Sequence, residues 1–447
     1  MSGTSVTPKR FPRDFVWGVA TSSYQIEGAV AEDGRGESIW DRFVATPGKV
    51  HNGDSAAVAA DHYHRFRDDV ALMHDLGVRG YRFSVAWPRI VPAGDGPINV
   101  KGLDFYDRLV EELLRHDIEP FLTLYHWDLP QALEDRGGWK TRHTVDAFGQ
   151  YVEAVVCRLG DRVQHWMTHN EPWCTAWLGY GNGEHAPGYA EGAAGAVPAA
   201  HHVLLSHGVA AGIIRAHAPG AQVGIALNLF PTYVGDDSPQ AHAVARQMDG
   251  QNNRWFLDPL FHGRYPSDLD YLSRFLPASA QDDLQTISVP IDFLGVNYYH
   301  RDVFTADDRG QPIHVSVPEA EHTDMGWEVY PEGLRALLGR LTAEYEPQAI
   351  YITENGAAYA DAPKPDGSID DVRRRRYVEQ HLDAALRSME DGVPLKGYFL
   401  WSLLDNFEWA HGYSKQFGIT HVDNDTLQRV PKHSAYWYRD FIARQAS

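Results

Sequence analysis

Eight short apolar runs, separated by helically patterned or polar stretches, limit the folds open to this chain more than any other feature. They cover residues 15–22, 78–87, 119–127, 163–172, 221–230, 291–299, 349–356 and 395–405, and are rich in Val, Ile, Tyr and Phe. A strand with one face in water alternates apolar and polar residues. Near-continuous apolar runs suit strands covered on both faces, which are parallel ones. Between the runs, residues 57–77, 102–116, 144–160, 332–345 and 372–392 repeat apolar side chains at three and four, as amphipathic helices do. Strand and helix alternate throughout with no break in composition. That predicts an α/β fold, a single (β/α)8 TIM barrel with inserted loops over its C-terminal face, spanning residues 1–447 as one catalytic domain. A length of 447 residues suits this, because single barrels with insertions exceed about 400. An open doubly wound sheet would place a Gly-rich fingerprint after the first strand, and TSSYQIEG is not one.

Charge removes other classes. Forty Lys and Arg against sixty Asp and Glu give a net charge of −20, so the chain has no attraction to phosphate backbones and no nucleic-acid partner is expected. The basic run Arg373–Arg376 reads as a solvated helix face. Two cysteines, Cys157 and Cys174, cannot build a disulfide framework, and buried reduced thiols are expected. No run reaches the roughly 18 apolar residues of a membrane span, and the first residues lack a signal-peptide pattern. A soluble, cytoplasmic protein is the expectation, with no membrane partner. Nothing in the pattern fixes an oligomeric state.

Catalytic groups of a barrel project from the C-terminal ends of its strands. Reading the run ends collects Gln25, Arg82, His126, Trp127, Asn170, Glu171, Asn297, Tyr299, Glu354, Trp401, Glu408 and Trp409. Two strand-end glutamates in an aromatic bowl suit cleavage of a glycosidic bond. One carboxylic acid protonates the departing oxygen, and a second carboxylate attacks the anomeric carbon or activates water. The bland alternative is a rim of ion pairs. It is weaker for Glu171 and Glu354 together, each beside an Asn, than for either alone. Asp61, His62 and His64 do not share a helix face, so no metal site is expected. His165 and His169 read as structural, Trp87 as core or bowl wall, and GYGNGEHAPG (179–188) as a loop over the cleft. Cys174 is needed for no chemical step.

At these residues the resemblance becomes specific. THNEPW (168–173) and ITENG (352–356) resemble the acid/base and nucleophile motifs of glycoside hydrolase family 1. ATSSYQIEGA (20–29), YRFSVAWPRI (81–90), LYHWDLPQ (124–131), GVNYY (295–299), GYFLWSLLDNFEW (397–409) and YSKQFGI (413–419) follow in the family's order. Ala60 and Asn424 depart from the family's usual residues, both outside the proposed site. The resemblance implies a retaining β-glucosidase, with Glu171 as acid/base and Glu354 as nucleophile. It implies sugar contacts from Gln25, His126, Trp127, Asn170, Tyr299, Trp401, Glu408, Trp409 and Phe417, with Arg82 and Asn297 supporting the nucleophile. Trp327 resembles an aglycone platform, and Trp173 and Leu178 would complete an apolar collar around the leaving group. The expected partner is a small β-glucoside such as cellobiose, a short oligosaccharide or an aryl glucoside, with β-galactosides and β-fucosides also cleaved. No cofactor is implied. The rivals are a 6-phospho-β-glycosidase, whose phosphate Glu408 would repel, a transglycosylase, and a non-catalytic sugar-binding barrel.

Overall fold

A computed structural model describes residues 10–446. All eight apolar runs form strands: β1 (Val16–Ala20), β2 (Gly80–Ser84), β3 (Glu119–Thr123), β4 (His165–Asn170), β5 (Gln222–Asn228), β6 (Phe293–Asn297), β7 (Ile350–Asn355) and β8 (Leu395–Trp401). They are parallel and close on themselves in chain order, β8 pairing with β1 from Val16 opposite Gly397 to Ala20 opposite Trp401. Nearly every strand residue is buried, because helices cover the outside and side chains fill the lumen. The lumen is packed by Ala20, Phe121, Met167, Ala226, Phe293 and Phe399, with Trp401 as the top of that plug. The strands stop short of the apolar runs: β3 ends at Thr123, which leaves His126 and Trp127 in the turn above the barrel rim.

The five patterned segments form helices, among them α1 (His62–Asp75), α2 (Val100–Arg115) and α3 (Arg142–Leu159). Their apolar stripes face the barrel. Among the helices not foreseen from periodicity are α4 (Ala193–His217), α5 (Ala280–Ile287) and α8 (His433–Ala446). The remaining two are α6 (Pro331–Tyr345) and α7 (Val372–Glu390). By length and composition α4 could cross a membrane, contrary to the reading that no segment could, but 78% of its apolar window is buried inside the protein. It is a core helix wedged against α3 and α5.

Two further expectations are corrected. Arg374 of the basic run is fully buried, paired with Asp361 and with Asp371 at 2.7 Å. Lys432 bonds Asp405 at 2.9 Å and Asp361 at 3.1 Å in the same cluster, which ties α7, the loop after β8 and the start of α8 together. Helical register decides this: Arg374 falls on the stripe of α7 that faces the barrel, while Arg373, Arg375 and Arg376 do not. Of the two thiols only Cys174 is buried; Cys157 is exposed on α3, beside His217.

Above the rim, Thr232–Val234, Asp302–Ala306 and Pro312–His314 form a small three-stranded sheet. With the loops after β4 and β6, it walls one side of the cleft.

Candidate active site

Glu171 is the first residue beyond β4, Glu354 the fifth residue of β7, and both are buried. Glu171 adopts a left-handed backbone (φ 49°), as do Trp127 (φ 77°) and Trp409 (φ 49°). Such conformations cost a non-glycine residue about 1–3 kcal/mol and cluster where a side chain must be aimed against local preference. After Glu354, Gly356 passes so close to the backbone of Trp401 that a Cβ would lie 1.7 Å from its carbonyl oxygen.

The two carboxyl groups have opposite surroundings. Glu354 Oε1 accepts from the Arg82 guanidinium at 2.5 Å, and Oε2 accepts from the Tyr299 hydroxyl at 2.6 Å. A cation and a phenol thus donate to its separate oxygens. Among the described residues no cation is bonded to Glu171. Its Oε1 accepts from Asn297 Nδ2 at 2.7 Å, and Oε2 lies 3.1 Å from Cys174 Sγ. Burial first, and then the charge of Glu354, push its pKa up to about 8. Burial is the larger cause.

Asn170 organises the floor between them. Its Oδ1 accepts from Arg82 at 2.6 Å and from Asn297 at 3.0 Å, which turns its Nδ2 toward His126 Nε2 at 3.1 Å. The His126 ring proton therefore sits on Nδ1, which is buried and has no protein partner. Burial, and then Arg82, depress the pKa of this imidazole and keep it neutral. Trp127 spends its indole N–H on the Asn170 carbonyl at 2.9 Å and packs its ring 4.5 Å from that of Trp409. The rings of Trp401 and His126 stack with centroids 5.9 Å apart.

Above these groups opens a cavity of about 450 Å³, within the range of small-molecule sites. Glu171, Glu354, Glu408, His126, Trp127, Asn297, Tyr299, Trp401, Trp409 and Phe417 all line it. Arg82, Asn170 and Gln25 do not. They are buried behind the wall and reach the cavity through the groups they hold. Gln25 Nε2 bonds Asn406 Oδ1 and the Phe407 carbonyl, each at 3.0 Å, and Glu408 Oε2 at 3.3 Å. Burial, followed by the charges of Glu354 and Glu171, pushes the pKa of Glu408 up to about 8.

Trp173, Leu178 and Trp327 also line the cavity. Trp173 is anchored by an N–H to Asn252 Oδ1 at 3.1 Å, and Leu178 rides on a widened π-helical turn, Cys174–Gly181. Trp327 lies against Tyr299 (5.2 Å between centroids) and stacks on His300 (5.1 Å). Sequence reasoning missed His300, Asp302, Phe304 and His314 on this wall, because they sit in a loop or on short strands with no periodic signal. It also missed the contact of Cys174 with Glu171. As expected, Trp87 is core, and His165 and His169 sit in structural contacts with Glu119 and Ser206.

Fold and bowl together define the class, a (β/α)8 hydrolase. The sequence profile of Glycosyl hydrolase family 1 matches residues 7–447, and the chain belongs to that family. It is 48% identical to Beta-glucosidase A of Acetivibrio thermocellus over 97% of this chain and 98% of that one. It is 44% identical to the bifunctional beta-D-glucosidase/beta-D-fucosidase of Bifidobacterium breve, over 97% and 98%. The solved beta-glucosidase of Thermotoga maritima in complex with glucoimidazole superposes with a TM-score of 0.96 at 44% identity, covering 98% of this chain and all of that one.

Proposed function

We propose that the whole chain is one catalytic domain, a retaining exo-β-glucosidase acting on terminal β-D-glucosyl residues of cellobiose, short oligosaccharides and aryl glucosides. The observation that carries this is the pair of buried carboxyls held in opposite surroundings. Glu354 lies between a guanidinium and a phenol, and Glu171, with no bonded cation among the described residues, is pushed up to about 8. Glu354 attacks the anomeric carbon as Glu171 gives its proton to the departing glycosidic oxygen. The glycosyl ester cancels the charge of Glu354 and so removes one of the influences raising Glu171, which then accepts a proton from the water that releases the sugar. His126 and Glu408 serve sugar hydroxyls, and the indole of Trp401 underlies the ring. The Bifidobacterium breve relative, named for both glucosidase and fucosidase activity, supports a glycone pocket that tolerates loss of the O6 hydroxyl. Among the described residues no side-chain cation bonds Glu408, so a 6-phosphate would find no counter-charge on it.

Proton NMR of an aryl β-glucoside digest tests the reading: β-glucose appears first, and α-glucose as first product overturns it. Glu354→Gly abolishes turnover, and azide in the vacated space restores formation of the α-glucosyl azide. No azide adduct would remove Glu354 as nucleophile.

A further inference from the structure

One group in the bowl wall makes a contact that this mechanism leaves unused. Cys174 is buried, lines the cavity, and holds its Sγ 3.1 Å from Glu171 Oε2. Asn228 Nδ2, at the end of β5, donates to the same sulfur at 3.5 Å. With its sulfur accepting from that amide, the thiol has its own proton free for Glu171. Burial and then the neighbouring Glu171 charge raise the thiol pKa well above its ordinary value, so the proton stays on sulfur. The oxygens of Glu171 are therefore unequal: Oε1 takes a strong amide donor from Asn297, Oε2 a weak thiol donor.

We propose that Cys174 is a positioning residue for Glu171, its S–H fixing Oε2 while donating weakly enough that this oxygen still gains and loses the catalytic proton. The proposal rests on Glu171 being the acid/base. Such a group must alternate between acid and carboxylate, and a strong donor on each oxygen would favour the carboxylate alone. When Oε2 carries the proton, the thiol rotates about Cβ–Sγ. When the glycosyl ester has formed and Oε2 is ionised, the S–H returns and aims the base at water. The transferred proton moves only between Oε2 and the leaving or attacking oxygen. Glu354 from β7, Arg82 from β2, Tyr299 beyond β6 and Glu408 beyond β8 also face Glu171, and Glu184 from the loop above β4 acts on Cys174. A substitution at Cys174 leaves these groups in place.

The chain has two cysteines, so Cys157→Ser leaves Cys174 as its single thiol. The infrared S–H stretch then reports this contact directly. It should move to lower frequency as pH rises through the alkaline limb of kcat/KM, when Glu171 becomes a stronger acceptor, and it should stop titrating in Glu171→Gln. In Cys174→Ala the carboxylate loses a donor. The alkaline limb should move up by about half a unit or more, and deglycosylation of an activated aryl glucoside should slow about threefold to tenfold. A thiol band indifferent to that limb, or a Cys174→Ala limb coincident with the wild type, overturns the proposal. The parent reading fails separately: Glu171→Ala would slow glycosylation equally for good and poor leaving groups. A leaving-group-dependent defect with an indifferent thiol band would remove Cys174 alone.

Discussion

Arg82 shows how one side chain sets the state of several others. Its guanidinium reaches the Thr353 carbonyl at 3.2 Å, Glu354 at 2.5 Å and Asn170 at 2.6 Å, from a position that is almost fully buried. A lysine ammonium is a point donor on a flexible stem and cannot span Glu354 and Asn170 together. Arg82→Lys should therefore lower kcat about tenfold to a hundredfold, the usual cost of a lost charged hydrogen bond, with KM moving less. An unchanged kcat would mean that Tyr299 alone holds the nucleophile. Among the described residues Glu171 has no such cation, and its raised pKa fixes the sign of the pH profile. Below about 8 it carries the proton that the leaving group needs, so kcat/KM for alkyl glucosides and cellobiose should fall as pH rises through that value. Because Glu408 is pushed up to the same range, the limb belongs to the pair rather than to either carboxyl. Dinitrophenyl glucosides, which leave without proton assistance, should show a much shallower alkaline fall in single-turnover glycosylation. Identical limbs for both substrate types would place the critical ionisation outside Glu171.

Elements differ in how plainly they stand in the sequence. The eight strands were legible because burial on both faces demands unbroken apolar runs, and Glu171 and Glu354 followed from their strand ends. The helix α4 was not, because its residues are apolar on every side and give no stripe to detect. Three of its four histidines look polar but bond Tyr265 (His201), the Trp139 carbonyl (His202) and Thr168 (His207) inside the core. Contacts that depend on loop geometry were equally hidden. Nothing in the spacing announces that Arg301 pairs with Glu328 through two hydrogen bonds of 2.9 and 3.0 Å, or that its guanidinium lies 3.7 Å from the Tyr330 ring centroid and 5.0 Å from that of Tyr233. That clamp fastens the segment bearing Trp327 to the residues just beyond β6. Glu328→Ala should free the Trp327 plane and raise KM for aryl glucosides about threefold to tenfold, while kcat stays within about twofold, since no reacting group is touched. Equal KM values would show that packing on Tyr299, His300 and Phe417 suffices to hold the ring.

At the scale of the whole molecule, the bowl and the ion cluster beneath α7 pull stability in opposite directions with pH. Burial alone would raise Asp405, but Lys432, His421 and Arg374 together hold it below the usual carboxylate range. Its contribution is present at neutral pH and is lost as pH falls through that depressed value. Glu171 and Glu408 behave in reverse. Each is raised from 4.5 to about 8, so the folded state binds their protons more tightly than the unfolded chain does. With more protons bound in the folded state, stability declines as pH climbs from about 4.5 to about 8 and then levels. Glutamine keeps the shape of the neutral acid and cannot ionise. Glu171→Gln and Glu408→Gln should each therefore melt about 2–4 °C above the wild type at pH 8. The gap should narrow steadily toward pH 4.5, where the wild-type carboxyls are protonated and the chains become alike. Differential scanning calorimetry at a fixed scan rate across that range measures it. A gain independent of pH would assign the effect to packing, and no gain at all would mean that the bowl keeps its carboxylates charged without strain.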